Sequence, residues 1–216
     1  MTLIASGAIV DRRRDPFAWA AVSDLLDTAY AEELADRFPA GLLRESRSPQ
    51  GHYLLRDCTV LEAGEPTDIA AALPEPWHRL LDWLLTPEYR AFVRSATGAE
   101  LSGCRLKVRL CEYGPGTFMT AHTDRPDRVA TQILYLSRSW SPDWGGGLDI
   151  LTAPVDEDPA AVAASLWPKF NTSVLFARSD HSFHAVRRIS PRAPVPRRTV
   201  LAQFVADPGG AATCAE

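Results

Sequence analysis

RVATQILYLS, residues 128–137, has no helical period and consists of strand-forming residues, and the runs around it repeat that texture. Working outward, CRLKVRLCEY (104–113), GLDILTA (147–153), NTSVLFARS (171–179), HAVRRIS (184–190) and RRTVLAQFV (197–205) are short β-rich runs separated by Gly, Pro, Asp and Ser. The second half therefore reads as an all-β sandwich or barrel. The first half differs. From Asp15 to Phe38 the chain is rich in Ala, Leu and Glu, with Phe17, Ala21, Leu25, Leu26 and Ala29 at helical spacing and Pro16 suited to a first turn, which predicts a helix. A second helical segment is predicted over residues 74–98, punctuated by Pro74, Pro76 and Pro87 and ended by Gly98. Residues 39–73 read as loop-rich, with a short strand around 52–60. The class is α+β: one domain over 1–216, in which 1–100 is mainly helical support packed on one sheet. Residues 101–205 form the β core, and 206–216 a mobile tail.

Composition bounds the function. With 216 residues, 46% hydrophobic and 23% charged, the length suits one substantial core. A net charge of −4 offers no general attraction to phosphate backbones or anionic lipid, so neither nucleic acid nor membrane is an expected partner. Cys58, Cys104, Cys111 and Cys214 form no CxxC, and the N-terminal positive residues follow the short apolar run instead of preceding it. Free thiols in a cytoplasmic protein are the simplest account. Oligomeric state is not legible.

The chemistry is carried by AHTDRPDR, residues 121–128. If His122 and Asp124 lie on a strand, positions i and i+2 share a face and two ligands can meet one ion. The alternative is a surface turn in which Asp124 and Asp127 make local bonds around Pro126. SDHSFHAVRRI alters the balance, because His184, sixty positions after Asp124, supplies a second imidazole at the start of a later strand. Two histidines and one carboxylate make a facial triad suited to non-haem Fe(II), with coordination positions left open. A structural zinc site would instead use four closed ligands, preferably with cysteine.

These residues fall within an ordered set: Tyr113-x-x-Gly116, His122-Thr123-Asp124, the run 128–137, WGGGL at 144–148, VLF at 174–176, HAV at 184–186 and Arg197-Arg198-Thr199. In that set the chain resembles the 2-oxoglutarate and Fe(II)-dependent oxygenases, specifically their prolyl-hydroxylase-like branch, over roughly residues 101–205. The resemblance implies a double-stranded β-helix, the jelly-roll or cupin-like barrel, with His122, Asp124 and His184 as metal ligands and Fe(II), 2-oxoglutarate and O2 as cofactor and cosubstrates. It also implies a cationic anchor for the far carboxylate of 2-oxoglutarate. Arg197 with Thr199 suits that role, being i and i+2 on one strand, and a guanidinium fork grips a carboxylate bidentately. Arg198 competes, but its i+2 neighbour is Val200, so it is expected to point outward. Tyr113 either bonds the cosubstrate or packs in the core.

Other residues carry less. His181 competes with His184 but lacks the following x-Val, and His52 and His78 have no carboxylate companion at ligand spacing. WGGGL lacks GK[ST] and reads as a tight turn before a strand. Trp140 and Trp144 line a substrate mouth or simply pack, and Arg125 and Arg128 either form a solvated edge or favour an anionic substrate. The reaction implied by the resemblance is hydroxylation of an unactivated C–H bond, with succinate and carbon dioxide as co-products. Halogenating relatives lack the carboxylate ligand, so Asp124 argues against halogenation. Desaturation, epimerisation and ring formation remain open. The compact length tilts the substrate toward a small molecule such as an amino acid or biosynthetic intermediate, anionic or carrier-bound. A protein, peptide or carrier-bound residue is the alternative. Two rivals remain: a cupin-like metalloenzyme without 2-oxoglutarate, which has no use for the Arg197-x-Thr199 anchor, and a non-catalytic β-sandwich binding module, which needs neither metal ligands nor an open coordination site.

Overall fold

The computed structural model describes residues 2–48, 53–155 and 158–207. The chain opens with β1 (Ile9–Arg13) and β2 (Trp19–Ser23), followed by α1 (Thr28–Asp36). The helix predicted over 15–38 is thus corrected in its first half. Trp19, Ala20 and Val22 are buried, and β2 hydrogen-bonds to β1 on one edge and to a later core strand on the other. Tertiary pairing overrides the alanine-rich local preference there. The helix begins only where Asp27 can cap it, accepting a bond from the Tyr30 amide at 3.2 Å.

Next come β3 (Arg44–Arg47), β4 (Tyr53–Glu62) and β5 (Glu65–Pro66), so the short strand expected around 52–60 is present as the ten-residue β4, flanked by two further strands in the segment otherwise read as loop-rich. The 74–98 segment divides into α2 (Glu75–Leu84) and α3 (Pro87–Thr97). Pro87 lacks an amide proton and starts a new helix, capped by the Thr86 side chain. Gly98, at φ 75°, ends it in the left-handed conformation that glycine adopts without strain.

The strands of the second half are β6 (Cys104–Tyr113), β7 (Phe118–His122), β8 (Arg128–Tyr135) and β9 (Leu148–Leu151), then β10 (Val162–Leu166), β11 (Ser173–Ala177), β12 (His184–Val186) and β13 (Arg197–Ala206). The predicted runs coincide with β6, β8, β9, β11, β12 and β13. β10 has no counterpart among the predicted runs, and β7 corresponds to the strand on which the His122–Asp124 reading is conditional. All pairings are antiparallel, in the order β1-β2-β11-β8-β13-β6-β4-β7-β12-β9-β10. The sheet curls at β4, which pairs with β6 through Arg56–Leu61 and with β7 through Tyr53 and Leu54. The segment β7-β12-β9-β10 thereby faces β11-β8-β13-β6 in a jelly-roll double-stranded β-helix, as expected.

Strand alternation gives the larger segment two different faces. Leu106, Val108, Leu110, Leu134, Val200, Ala202 and Phe204 pack with Trp77, Leu80, Tyr89 and Val93 of the helices. Tyr89 stacks on Phe204, and its hydroxyl donates to Gln132 Oε1 at 2.5 Å. Gln132 in turn donates to Ser173 Oγ, so this buried polar chain is satisfied. The opposite face, with Cys111, Tyr113, Ile133, Tyr135 and Phe176, joins Leu148, Ile150 and Val186 of the facing segment inside the barrel. The helices thus buttress one sheet and leave the interior to the site. Cys58, Cys104 and Cys111 are free thiols, and all three are buried. Among the described residues no helix is long and apolar enough to cross a membrane. His52, Cys214 and the tail 208–216 lie outside the described residues.

Candidate active site

A cavity of about 560 Å³ opens into the barrel and is lined by residues from both facing segments. His122, the last residue of β7, pairs in register with His184, the first of β12. Their rings stand 4.3 Å apart between centroids. One donor atom each from His122, Asp124 and His184 lies within 4.8 Å of the others, a set able to hold a metal ion.

The tautomers favour ligation. His122 Nδ1 donates to the Thr120 carbonyl at 2.8 Å, and His184 Nδ1 donates to the Ser182 carbonyl at 3.0 Å. A carbonyl can only accept, so each ring carries its proton on Nδ1 and leaves the Nε2 lone pair for a metal. Burial, and then the neighbouring His122, push the His184 imidazole down to about 4 against the opposing pull of Asp124. The neutral form needed for ligation is therefore the resting one.

Asp124 does not share a strand with His122, because β7 ends at His122 and Asp124 lies in the loop before β8. Two contacts hold it instead. Its Oδ2 accepts a 2.5 Å bond from Thr131 Oγ1, and its carbonyl accepts from Arg178 Nε at 3.3 Å. Gln203 Nε2 donates to the same threonine hydroxyl at 3.4 Å. A bond to one carboxylate oxygen leaves the other for a metal. Three ligands without cysteine fit an open ferrous site better than a closed structural zinc site.

Further into the cavity Arg197 is 1% exposed, and its Nε and Nη2 have no hydrogen-bond partner among the described residues. Its guanidinium carbon lies 4.7 Å from the Tyr113 ring centroid and 5.0 Å from that of Tyr135. An unsatisfied buried cation is costly, and this one lines a cavity beside the hydroxyl-bearing Thr199. That arrangement fits a dicarboxylate whose far end needs a charged fork and a neutral donor. Tyr113 also lines the cavity, and burial raises its phenol well above the usual range, so it remains a neutral hydrogen-bond donor. Arg198 points the other way, donating to Glu112 Oε2 at 3.0 Å and lying over Phe38.

Arg125 and Arg128 also line the cavity. Trp140, expected as a weak substrate residue, does not. Its Nε1 donates to the Gly145 carbonyl and its ring meets Trp144 edge-on. A Cβ on Gly146 would stand 2.9 Å from the Trp140 ring and 3.4 Å from Arg197 Cδ, so Trp140 and the Arg197 stem flank the same glycine. The turn at 144–148 is therefore a close-packing device, which only glycine permits. His181 is exposed in a turn, and His78 is exposed with its Nε2 on the Leu73 carbonyl. Sequence reasoning missed Thr131, Gln203, Lys107 and Arg109. Lys107 and Arg109 share the inward face of β6 with Tyr113, and Gln203 that of β13 with Arg197 and Thr199, and that alternation is the signal that points to them, whereas Thr131 shares its face with Ile133 and Tyr135, which carried no such signal.

Residues 108–204 match the 2OG-Fe(II) oxygenase superfamily. Among curated proteins the chain is similar to prolyl 3-hydroxylase OGFOD1 of Xenopus laevis, 30% identical over 112 residues, covering 51% of this chain and 22% of the relative. The Mus musculus protein of the same name is 29% identical over 153 residues, 70% of this chain and 27% of the relative. The chain thus spans about a quarter of the length of these relatives. Among solved structures, a Pseudomonas putida prolyl-4-hydroxylase aligns with a TM-score of 0.62 at 19% identity, covering 88% of this chain and 92% of that one. HygX from Streptomyces hygroscopicus, with nickel and 2-oxoglutarate bound, aligns with a TM-score of 0.58 at 12% identity over 87% and 82%.

Proposed function

We propose that the chain, whose residues 108–204 match the 2OG-Fe(II) oxygenase superfamily, is an oxygenase of that kind and hydroxylates a prolyl side chain in a protein or peptide. Bound Fe(II) and 2-oxoglutarate would supply the oxidation, reducing O2 while 2-oxoglutarate is converted to succinate and carbon dioxide. The observation that carries this reading is the convergence on one cavity of three candidate ligand atoms within 4.8 Å and a buried Arg197 whose Nε and Nη2 have no partner among the described residues.

In this reading His122 Nε2, His184 Nε2 and one Asp124 oxygen hold the metal on one side, with backbone carbonyls and Thr131 holding the ligands. Arg197 receives the far carboxylate of 2-oxoglutarate and Thr199 adds a hydroxyl donor, while the phenol of Tyr113 supplies a second neutral donor. Phe176, Ile133, Leu148 and Val186 line the same space and exclude water around the ligands. The anchor gives the site a use for 2-oxoglutarate, which the rival cupin-like reading leaves unexplained.

The relatives move the substrate away from the small molecule favoured by the compact length. Both curated relatives are named as prolyl 3-hydroxylases, and the Pseudomonas putida neighbour as a prolyl-4-hydroxylase. The test is succinate release with proline-containing peptides, followed by mass spectrometry of the product. Gain of one oxygen atom on proline supports the reading. Turnover confined to a free amino acid, with every peptide inert, refutes the peptidyl assignment.

A further inference from the structure

The charge of the cavity lining is one-sided. Lys107 and Arg109 of β6, Arg125, Arg128 and Arg197 line it, and among the described lining residues the only carboxylate is Asp124. Asp124 and Arg197 already have roles toward metal and cosubstrate. Four cations remain.

Each has an acidic partner, but the partner lies outside the lining. Lys107 Nζ meets Glu62 at 2.6 Å and Arg109 Nη1 meets Asp57 at 2.9 Å. Arg125 and Arg128 share the single carboxylate Asp127, at 3.2 and 2.9 Å, which leaves that group with one positive charge in excess. Arg109 also has a buried Nε without a partner among the described residues. The strand register fixes their height in the barrel. Lys107 stands opposite Gln203, and Gln203 opposite Thr131, whose hydroxyl holds Asp124. Arg109 stands opposite Leu201, one inward-facing step toward Thr199. Lys107 and Arg109 therefore lie on the inward rows at and next to Thr131 and the Asp124 it holds, away from the Arg197 end where the cosubstrate would be anchored, and Arg128, opposite Val205, lies on the same side.

We propose that Lys107, Arg109 and Arg128 form a subsite for a carboxylate on the substrate, seated beside the C–H bond to be oxidised. The proposal rests on the oxygenase reading above and specifies its substrate class. Side-chain exposures of 22% for Lys107, 28% for Arg109 and 13% for Arg128 keep these cations partly shielded from solvent, where a charge-assisted hydrogen bond retains its strength. Arg125, 76% exposed, adds salt-screened attraction only. The carboxylate can belong to an acidic residue flanking the target in a peptide, or to a free amino acid itself.

The test uses the full chain loaded with Mn(II) and 2-oxoglutarate, so that binding is measured without turnover. The probes are blocked proline-centred pentapeptides with Asp, Asn or Lys at each flanking position, together with free proline and prolinamide. The proposal expects an Asp peptide to bind about tenfold more tightly than its Asn counterpart, equivalent to about 1.4 kcal/mol. That ratio should fall below about threefold in Arg128→Gln, which removes the charge while leaving Asp127 paired with Arg125, and should shrink in Lys107→Gln as an independent check. If free proline outbinds prolinamide with the same dependence on Arg128, the carboxylate subsite stands and the acid belongs to a free amino acid. Equal or absent binding of Asp and Asn peptides, with no preference for proline over prolinamide, overturns the proposal. The visible band of the Fe(II)–2-oxoglutarate complex separates the two failures. Band without acid preference removes the subsite alone, whereas no band removes the oxygenase reading and the subsite with it.

Discussion

Replacing Arg197 by methionine, which keeps much of the volume and removes the charge, should separate stability from cosubstrate binding. Without 2-oxoglutarate Arg197 is 1% exposed with two guanidinium nitrogens that have no partner among the described residues, and such buried donors cost about 1–3 kcal/mol each. The Tyr113 and Tyr135 rings, at 4.7 and 5.0 Å, return about 0.5–2 kcal/mol each through cation–π attraction. The two contributions largely offset, so the variant without cosubstrate should be as stable as the parent or somewhat more so. With 2-oxoglutarate the balance reverses. Losing two hydrogen bonds to a charged group, at about 1.5–3 kcal/mol each, removes about 3–6 kcal/mol of binding, a rise of more than about 100-fold in Kd. Anaerobic titration of the Fe(II)-loaded protein reads the affinity, and urea unfolding reads the stability. A Kd within about threefold of the parent would refute the anchor assignment. So would a loss of more than about 3 kcal/mol in the cosubstrate-free protein, because it would mean that Arg197 already has a structural partner.

Asp124→Ala should abolish succinate formation under all peptide conditions, and measurable turnover would remove Asp124 from the ligand set. Thr131→Val keeps the shape but deletes the donor to Asp124 Oδ2, so Fe(II) affinity should fall about 10–100-fold with little change in 2-oxoglutarate affinity at saturating metal. Gly146→Ala would place a methyl 2.4 Å from Ile189 Cδ1 at φ +71°, and should destabilise the fold by about 1–3 kcal/mol in urea unfolding. Unchanged stability would show that the turn has room to relax.

Much of the barrel is legible because its strands read the same locally and globally. β6 spans CRLKVRLCEY, whose even positions from Leu106 to Leu110 meet the helices while Arg109, Cys111 and Tyr113 face inward. β2 is not legible, because WAAVS sits in a helix-favouring stretch and becomes a strand only by adding to β11. β7 carries the half-buried FMTAH, which gives no clear alternation, and was posited only to seat the metal motif. At the site the three side chains that converge are legible in the sequence, but what supports them is not. The i, i+2 geometry used for His122 and Asp124 does not apply, since a loop held by Thr131 and Arg178 delivers the carboxylate. Of the two places open to Trp140 in the sequence, a substrate mouth or packing, the structure shows packing. That place depends on how closely backbone approaches at Gly145 and Gly146, a tertiary fact that spacing does not encode.

The central claim is that His122, Asp124 and His184 jointly hold one ferrous ion with adjacent positions left open. Anaerobic Fe(II) titration with 2-oxoglutarate, followed by visible absorption, tests it most directly. The account predicts saturation at about one iron and one 2-oxoglutarate per chain, with a weak charge-transfer band that requires both and disappears in Asp124→Ala. Tight iron binding that persists in the His122→Ala, Asp124→Ala and His184→Ala variants, or no band with the parent protein, would contradict it.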